Sequence, residues 1–208
     1  MHRSSMGGGL LIALVVLVLM SMTAMALVRA VSTASLIAGN FAFRQAAVLA
    51  SEAGSEAAIT WLSARISTAT VFTDQMDHGY YASVPDGLEL TTGGHQSGTV
   101  VIDWDDDDCS NRTGVQCLKA SPSLDADPAG NVIRYTIHRL CRTAGSPEDS
   151  ANSCLIYKNA QSASSKKSQL SYGASKHFQS DSQVYYRITT RVRGPRNTTV
   201  FTQALVHY

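Results

Sequence analysis

The fold of this chain is decided by the stretch MGGGLLIALVVLVLMSMTAMALV, which occupies residues 6–28. From Leu10 to Val28 it holds no charged side chain, and its only polar ones are Ser21 and Thr23. A helix of this length spans ~28 Å, close to the ~30 Å thickness of a bilayer's hydrocarbon core. The short segment before it carries Arg3, so the positive-inside rule keeps that end in the cytoplasm. The stretch therefore predicts a membrane-spanning helix with the rest of the chain outside.

The start of this stretch allows three fates for the N-terminus. Three glycines abut Leu10 directly, and glycine leaves the backbone open to close approach by a peptidase. Ala24-Met25-Ala26 has the small-residue pattern of an ordinary secretory cleavage site. A plain, uncleaved membrane anchor is the third reading. Helical patterning continues without a breaker beyond Ala26, which argues against the secretory signal but not against the anchor.

Composition excludes some classes of function. The chain has 17 basic and 16 acidic residues, so its near-neutral balance gives no indication of nucleic-acid binding. Its four cysteines follow a membrane segment, which predicts disulfides in an oxidising compartment rather than a zinc site. Three connectivities are possible, and we predict the sequence-local one, Cys109–Cys117 and Cys141–Cys154.

Helical periodicity continues from Arg29 to about Thr70. The expected apolar stripe has steps of four, three, four and four residues and comprises Ala46, Ala50, Ala53, Ala57 and Trp61, with Leu49, Leu62 and Ile66 beside it on the same face. Gly39-Asn40 is the expected bend, because glycine weakens a helix interior by roughly 0.5–1 kcal/mol. We expect the outer half of this helix to pack on a sheet.

Residues 71–208 show the patterns of a β-domain. Turn residues dominate Thr70–Thr99, with one short strand expected at Leu88–Leu90, and further strands are expected at 100–104 and 132–140. Alternating side chains over 184–193 and 200–208, separated by Gly194-Pro195-Arg196-Asn197, predict a terminal hairpin. Residues 161–182 are rich in serine and lysine and are expected to form an exposed loop.

No residue pattern indicates catalysis. The run Asp103, Asp105–Asp108 could bind a hard cation such as calcium, but it lacks the glycine and glutamate of an EF-hand, so a solvated acidic loop is preferred. Asp125 and Asp127 before Gly130 resemble a calcium-binding loop more weakly, and a turn is preferred there too. The six histidines show no paired ligand spacing, and no nucleophile or phosphate-loop motif occurs. We expect no enzyme activity, no bound cofactor and no metal.

Several of these stretches together resemble type IV pilins, specifically the PilX-type minor pilins. GLLIAL at residues 9–14 resembles the class III signal junction cut by prepilin peptidase. IAGNF at 37–41, RQAA at 44–47 and ASEAG at 50–54 resemble the family's helix signature. YTIHRLC at 135–141 with Cys154-Leu155 resembles its disulfide-flanked strand, and YRITTRV at 186–192 with GPRNT at 194–198 resembles its terminal hairpin. The resemblance covers both ends of the chain and leaves 70–100 and 161–182 unmatched.

The resemblance implies an α+β fold, a long N-terminal helix packed on a small antiparallel β-sheet. Its expected parts are a leader at 1–9, a membrane half at 10–28, an amphipathic half at 29–70 and an external β-domain with disulfide loops at 71–208. It implies cleavage after Gly9, leaving a methylated Leu10. The subunit would reside in the bacterial inner membrane and then on the pilus surface, with roles in adhesion and twitching motility.

The partners implied are prepilin peptidase, the inner-membrane assembly platform, other minor pilins, the major pilin and a tip adhesin. The chain departs from major pilins at the fifth mature position, where they carry a glutamate. Cleavage after Gly9, Gly8 or Gly7 places Leu14, Ala13 or Ile12 there. That absence indicates a priming or tip subunit. A type II secretion pseudopilin and a membrane-anchored periplasmic binding or sensor domain are the alternatives.

Overall fold

The first element is a single helix, α1, at Met6–Ser63 in the computed structural model, which describes residues 6–91, 99–110, 113–125, 127–158 and 182–208. Helical structure passes Gly39-Asn40 without interruption. The helix ends at Ser63, earlier than the expected end near residue 70. It ends there because the amides of Arg65 and Thr68 donate to carbonyls three residues back, each at 2.9 Å, which makes tight turns in place of α-helix.

In the described residues, eight strands follow α1. They are β1 Tyr80–Tyr81, β2 Leu88–Glu89, β3 Val100–Asp103, β4 Gln116–Lys119, β5 Val132–Arg139, β6 Ile156–Lys158, β7 Ser182–Arg193 and β8 Thr199–His207. Short 3-10 turns lie at Ala69–Phe72, Met76–His78 and Pro195–Asn197. Strands β2, β3, β5, β7 and β8 lie where the sequence predicts strands, whereas β1, β4 and β6 were not predicted.

The larger sheet is built around β7. Strand β7 pairs antiparallel with β5 and β6 on one side and with β8 on the other, and β1 adds in parallel beyond β5. Strand β6 continues the line of β5, since Leu155 donates to the Leu140 carbonyl and Tyr185 donates to the Leu155 carbonyl. The chain therefore leaves this line after β5 and rejoins it at β6.

The smaller sheet is entirely parallel, in the order β2-β3-β4. The expectation of an antiparallel sheet holds for the pairs that β7 makes with β5, β6 and β8, but not for β1 or the smaller sheet, so the fold is α+β with mixed pairing. The physical reason lies in the connections. A two-residue hairpin turn can join only antiparallel neighbours, whereas residues 104–115 separate β3 from β4, a connection of the length that parallel neighbours require.

The chain divides into two units, Met1–Gln45 and Ala46–Tyr208. The second contains the end of α1, and the helix side of the larger sheet forms its core. The buried helix positions are Ala47, Ser51, Gly54, Ala58 and Leu62. They repeat the predicted steps of four, three, four and four, but one residue later than the predicted stripe. Alanines occur on both faces here, so counting apolar residues could not tell which face of the helix packs on the sheet. The buried face includes the polar Ser51 as well as Gly54, and the backbone at Gly54 approaches the sheet closely.

The opposite face of the larger sheet is partly covered by the smaller sheet. Trp104 and Phe201 meet edge-on with ring centroids 5.8 Å apart, and the Tyr81 hydroxyl donates to the Lys119 carbonyl at 2.8 Å. Because of this cover, Thr136 and His138 of β5 are fully buried. In the sequence, Ile133, Tyr135 and Ile137 alternate with Arg134, Thr136 and His138, the pattern of a half-buried strand, which predicts that the second set faces solvent.

Some predicted features lie outside the described residues. These are the first five residues of the leader, the Gly93-Gly94 turn and residues 161–181 of the serine- and lysine-rich segment.

Candidate membrane and assembly helix

The first unit presents apolar side chains in exposed positions along the whole helix. Every large apolar side chain from Leu10 to Phe41 is exposed, from 41% at Val18 to 73% at Leu10. The first charged residue of α1 is Arg29, and its first acidic residue is Glu52. By length and composition this helix could cross a membrane. Exposure on all sides suits contact with lipid or with neighbouring helices.

The hydroxyl groups within this apolar half are satisfied by the helix itself. Ser21 Oγ donates to the carbonyls of Leu17 and Val18, both at 2.9 Å, and Thr23 Oγ1 donates to the Met20 carbonyl at 2.9 Å. A hydroxyl bonded in this way costs little in an apolar environment, because no polar group is left without a partner. The segment is thus compatible with lipid despite its serine and threonine.

The predicted leader junction lies inside the first turns of α1. No atom lies within 4 Å of where a Cβ on Gly8 or Gly9 would be, so the backbone there is open. Leu14, the fifth residue after Gly9, is exposed like its neighbours. The structure thus shows free space beside the glycines of the predicted junction, while cleavage stays a prediction.

The end of α1 is fixed to the sheet at a glycine. A Cβ on Gly54 would lie 2.8 Å from Ile133 Cγ2 and would also clash with the Thr190 side chain. The next residue, Ser55, places its hydroxyl 3.4 Å from that of Thr190. Glycine is required because the helix backbone approaches the sheet too closely for any side chain. This contact anchors the second half of α1 in the β-domain.

Two disulfides close the segments that connect consecutive strands. Cys109 is bonded to Cys117 between β3 and β4, and Cys141 to Cys154 between β5 and β6. These are the sequence-local pairs. Cys141 belongs to the main hydrophobic core, so the second disulfide holds the returning chain against buried residues. The described residues contain no free cysteine.

The aspartate run after β3 serves the fold. The Asp103 carboxylate accepts backbone N–H bonds from Asp107 at 3.1 Å and Asp108 at 2.8 Å. Burial alone would raise the pKa of Asp103, but these N–H bonds outweigh it and lower the pKa. Asp105 pairs with Arg191 at 2.8 Å and Arg193 at 2.9 Å.

Two further acidic candidates are likewise engaged in local contacts. Asp106 lies 3.7 Å from Arg134, and Asp127 accepts both the backbone and the side-chain N–H of Asn131. Across the described ranges, no group of three or more histidine, cysteine or acidic residues could hold a metal ion. These carboxylates tie loops to the sheet.

An exposed aromatic cluster lies at the other end of the larger sheet, and the sequence did not predict it. We define it as Tyr157 of β6, Tyr185 of β7 and His207 of β8. The Tyr157 and His207 rings stack at 4.7 Å, and Tyr185 meets them edge-on at 6.4 and 5.5 Å. Alternation in the hairpin indicates that Tyr185 faces outward, but only the pairing of three strands brings it to Tyr157.

Comparison with protein-family models, with curated proteins and with solved structures gives no match to this chain. Its function must therefore be argued from its own residues.

Proposed function

We propose that the protein is a minor pilin-type subunit that primes a type IV pilus or sits at its tip. The observation that carries the proposal is the construction of α1. Its first half carries no charged side chain before Arg29 and is exposed on every side. Its second half packs closely on the sheet of the β-domain at Gly54. A helix of this kind holds a domain at the membrane and also offers a surface for other helices. The role is one of assembly, with no catalysis.

The absence of an acidic residue near the helix start favours priming or tip placement. Glu52 is the first acidic residue of α1, so cleavage after any of the three glycines leaves no carboxylate near the new amine. A buried ion pair that lacks one partner costs about 3–5 kcal/mol. A subunit with no neighbour ahead of it avoids that cost.

The test is processing by a prepilin peptidase. Coexpression of the full chain with such a peptidase should give a mature protein that starts at Leu10, read by mass spectrometry of the membrane-extracted protein. Loss of Arg3 with the leader takes the formal net charge from +1 to zero. Gly9→Val should block the cut, because a β-branched side chain crowds the scissile bond, whereas Gly7→Ala should leave it intact.

The same measurement separates the alternatives. An intact Met1 would indicate a plain anchor carrying a binding or sensor domain, and a start at Leu27 would indicate ordinary signal peptidase. Either result rejects the pilin proposal. A type II secretion pseudopilin would share the Leu10 start. It is distinguished by which deletion strain the gene restores, one lacking pilus assembly or one lacking secretion.

A further inference from the structure

The aromatic cluster forms the centre of a larger exposed surface on one face of the sheet. Its flanks are apolar, because Leu155 beside Tyr185 is 55% exposed and Leu205 beside His207 is 62% exposed. Single exposed apolar residues are ordinary, but a contiguous set centred on stacked rings marks a contact surface. We call these five residues, with Gln183 and Arg187, the aromatic platform.

Two polar side chains of the platform are held by a hydrogen bond, and a third carries a charge. His207 Nδ1 lies 2.6 Å from Gln183 Oε1, and this hydrogen bond holds the imidazole ring against the Gln183 side chain. Register places Arg187 opposite Leu205 and two residues from Tyr185 on the same face. Among the described residues, Arg187 has no ion-pair partner within 4 Å, and its Nε is buried without a hydrogen bond.

We propose that the aromatic platform binds a saccharide carrying a carboxylate, such as a uronic acid. The C–H face of a sugar ring is apolar and can stack on an aromatic side chain, while tyrosine and histidine also present hydrogen-bonding atoms. The half-buried guanidinium of Arg187 supplies the charge that a carboxylate complements in a planar, two-bonded geometry. The rings available for stacking and the guanidinium available for ion pairing therefore belong to the same face of the sheet.

Two other ligand types fit the platform less well. A quaternary ammonium group needs rings arranged around an empty space, whereas Tyr157 and His207 fill that space by stacking on each other. The Arg187 charge would also repel such a cation. A second copy of the same platform would bring two unpaired Arg187 side chains together, so charge disfavours a symmetric contact. The acidic saccharide satisfies both the rings and the cation.

This inference does not rest on the pilin proposal, because it needs only that the β-domain is folded and outside the cytoplasm. A correct Leu10 start with no saccharide binding would reject this inference alone. Binding with an uncleaved N-terminus would reject the pilin proposal alone.

The experiment measures binding of trigalacturonic acid and of neutral galactotriose to the full chain in detergent micelles by titration calorimetry. We expect the acidic trisaccharide to bind more tightly, by about tenfold or more. Tyr157→Ala should weaken both ligands by at least about tenfold, whereas Tyr157→Phe should bind nearly as well since the ring remains. Leu49→Ala, an exposed position on the helix, is the matched control and should change neither affinity.

Charge recognition is tested separately. Arg187→Gln should remove the preference for the acidic ligand while keeping weak binding of the neutral one, and Arg187→Lys should keep part of the preference. No binding of either trisaccharide would overturn the proposal, as would equal loss in Leu49→Ala. Self-association of the wild type that Tyr157→Ala abolishes would show instead that the platform is an interface between copies.

Discussion

At the residue scale, His138 is a side chain whose surroundings strongly disfavour protonation of its ring. It is fully buried, its ring stacks on Tyr81 at 5.1 Å, and neither ring nitrogen has a hydrogen-bond partner. Burial first, and then the positive charge of Arg187, lower the pKa of His138 to about 3. A histidine in the unfolded chain has a pKa of about 6.5, so acid favours the unfolded state.

We therefore expect the free energy of unfolding to fall as the pH drops below about 6.5. Above that value His138 is neutral in both states, and its contribution to stability is fully present. Between pH 7 and pH 5 the free energy of unfolding should decrease by about 2 kcal/mol from His138 alone. His138→Gln should remove that part of the pH dependence, whatever it does to stability at pH 7. Chemical denaturation of the full chain at several pH values measures the slope, and an identical slope in the variant would contradict the assignment.

Gly54 gives a second prediction at this scale. Gly54→Ala should destabilise the β-domain by about 1–3 kcal/mol, because the added methyl group meets Ile133 and Thr190 in a packed contact. Gly39→Ala is the matched control, since nothing lies within 4 Å of its added methyl and alanine favours helix. Thermal unfolding in micelles should show a lower midpoint for Gly54→Ala only. Equal midpoints for the two variants would mean that the helix can move away from the sheet at no cost.

At the scale of elements, the sequence predicts those that carry their own periodic signal. Strand β5 and the β7–β8 hairpin alternate over eight or more residues, and α1 is apolar enough to be assigned from composition alone. Strands β2 and β3 are short, and they were predicted from short apolar runs next to turn residues and not from a period. Strands β1, β4 and β6 are equally short, with two to four residues, too few to show a period. These last three segments become strands because they pair with the edges of neighbouring strands. Which edge is available depends on the whole fold and cannot be predicted from the segment's own residues.

Of the two candidate sites, one could be predicted from the sequence and the other could not. The exposed apolar helix could be predicted, because its length and composition are read from one continuous stretch. The aromatic platform could not, since Tyr157 and His207 meet only through the registers of β6 and β8 on β7. The register of α1 on the sheet was also missed by one residue, because the decisive contact is a glycine.

The two disulfide-closed segments give the prediction for this scale. Replacing Cys141 and Cys154 with serine should cost about 3 kcal/mol by the chain-entropy account, plus the loss of core packing at Cys141. The Cys109–Cys117 pair closes a shorter loop outside that core, so its removal should cost less in total. Non-reducing peptide mapping should find these two pairs in the natural protein. Crossed pairs or free thiols would contradict the prediction.

At the scale of the whole molecule, the proposed role is a position in an assembly. If the subunit primes or caps a filament, its copy number should be low relative to the major subunit, and its deletion should remove filaments. Leu14→Glu should bring little or no gain in assembly, because a tip subunit has no amine ahead of it to pair with. Leu14→Gln, which is polar but uncharged, is the matched control.

Immunogold labelling of sheared filaments measures the position directly. Sparse or terminal label is the expected result. Dense and regular label along the shaft would reject the tip assignment, even if the N-terminus is processed at Leu10.

The path of the chain from β5 through the Cys141–Cys154 excursion to β6 also determines how the domain responds to mechanical load. A chain pulled from its ends can lengthen by ~3.5 Å per residue released. The covalent bridge across a separation of 13 residues withholds ~45 Å of that extension, and the bridge across 8 residues withholds ~28 Å more. Under tension the oxidised domain is thus a shorter tether than its residue count suggests, and a reductant would lengthen it without breaking the backbone.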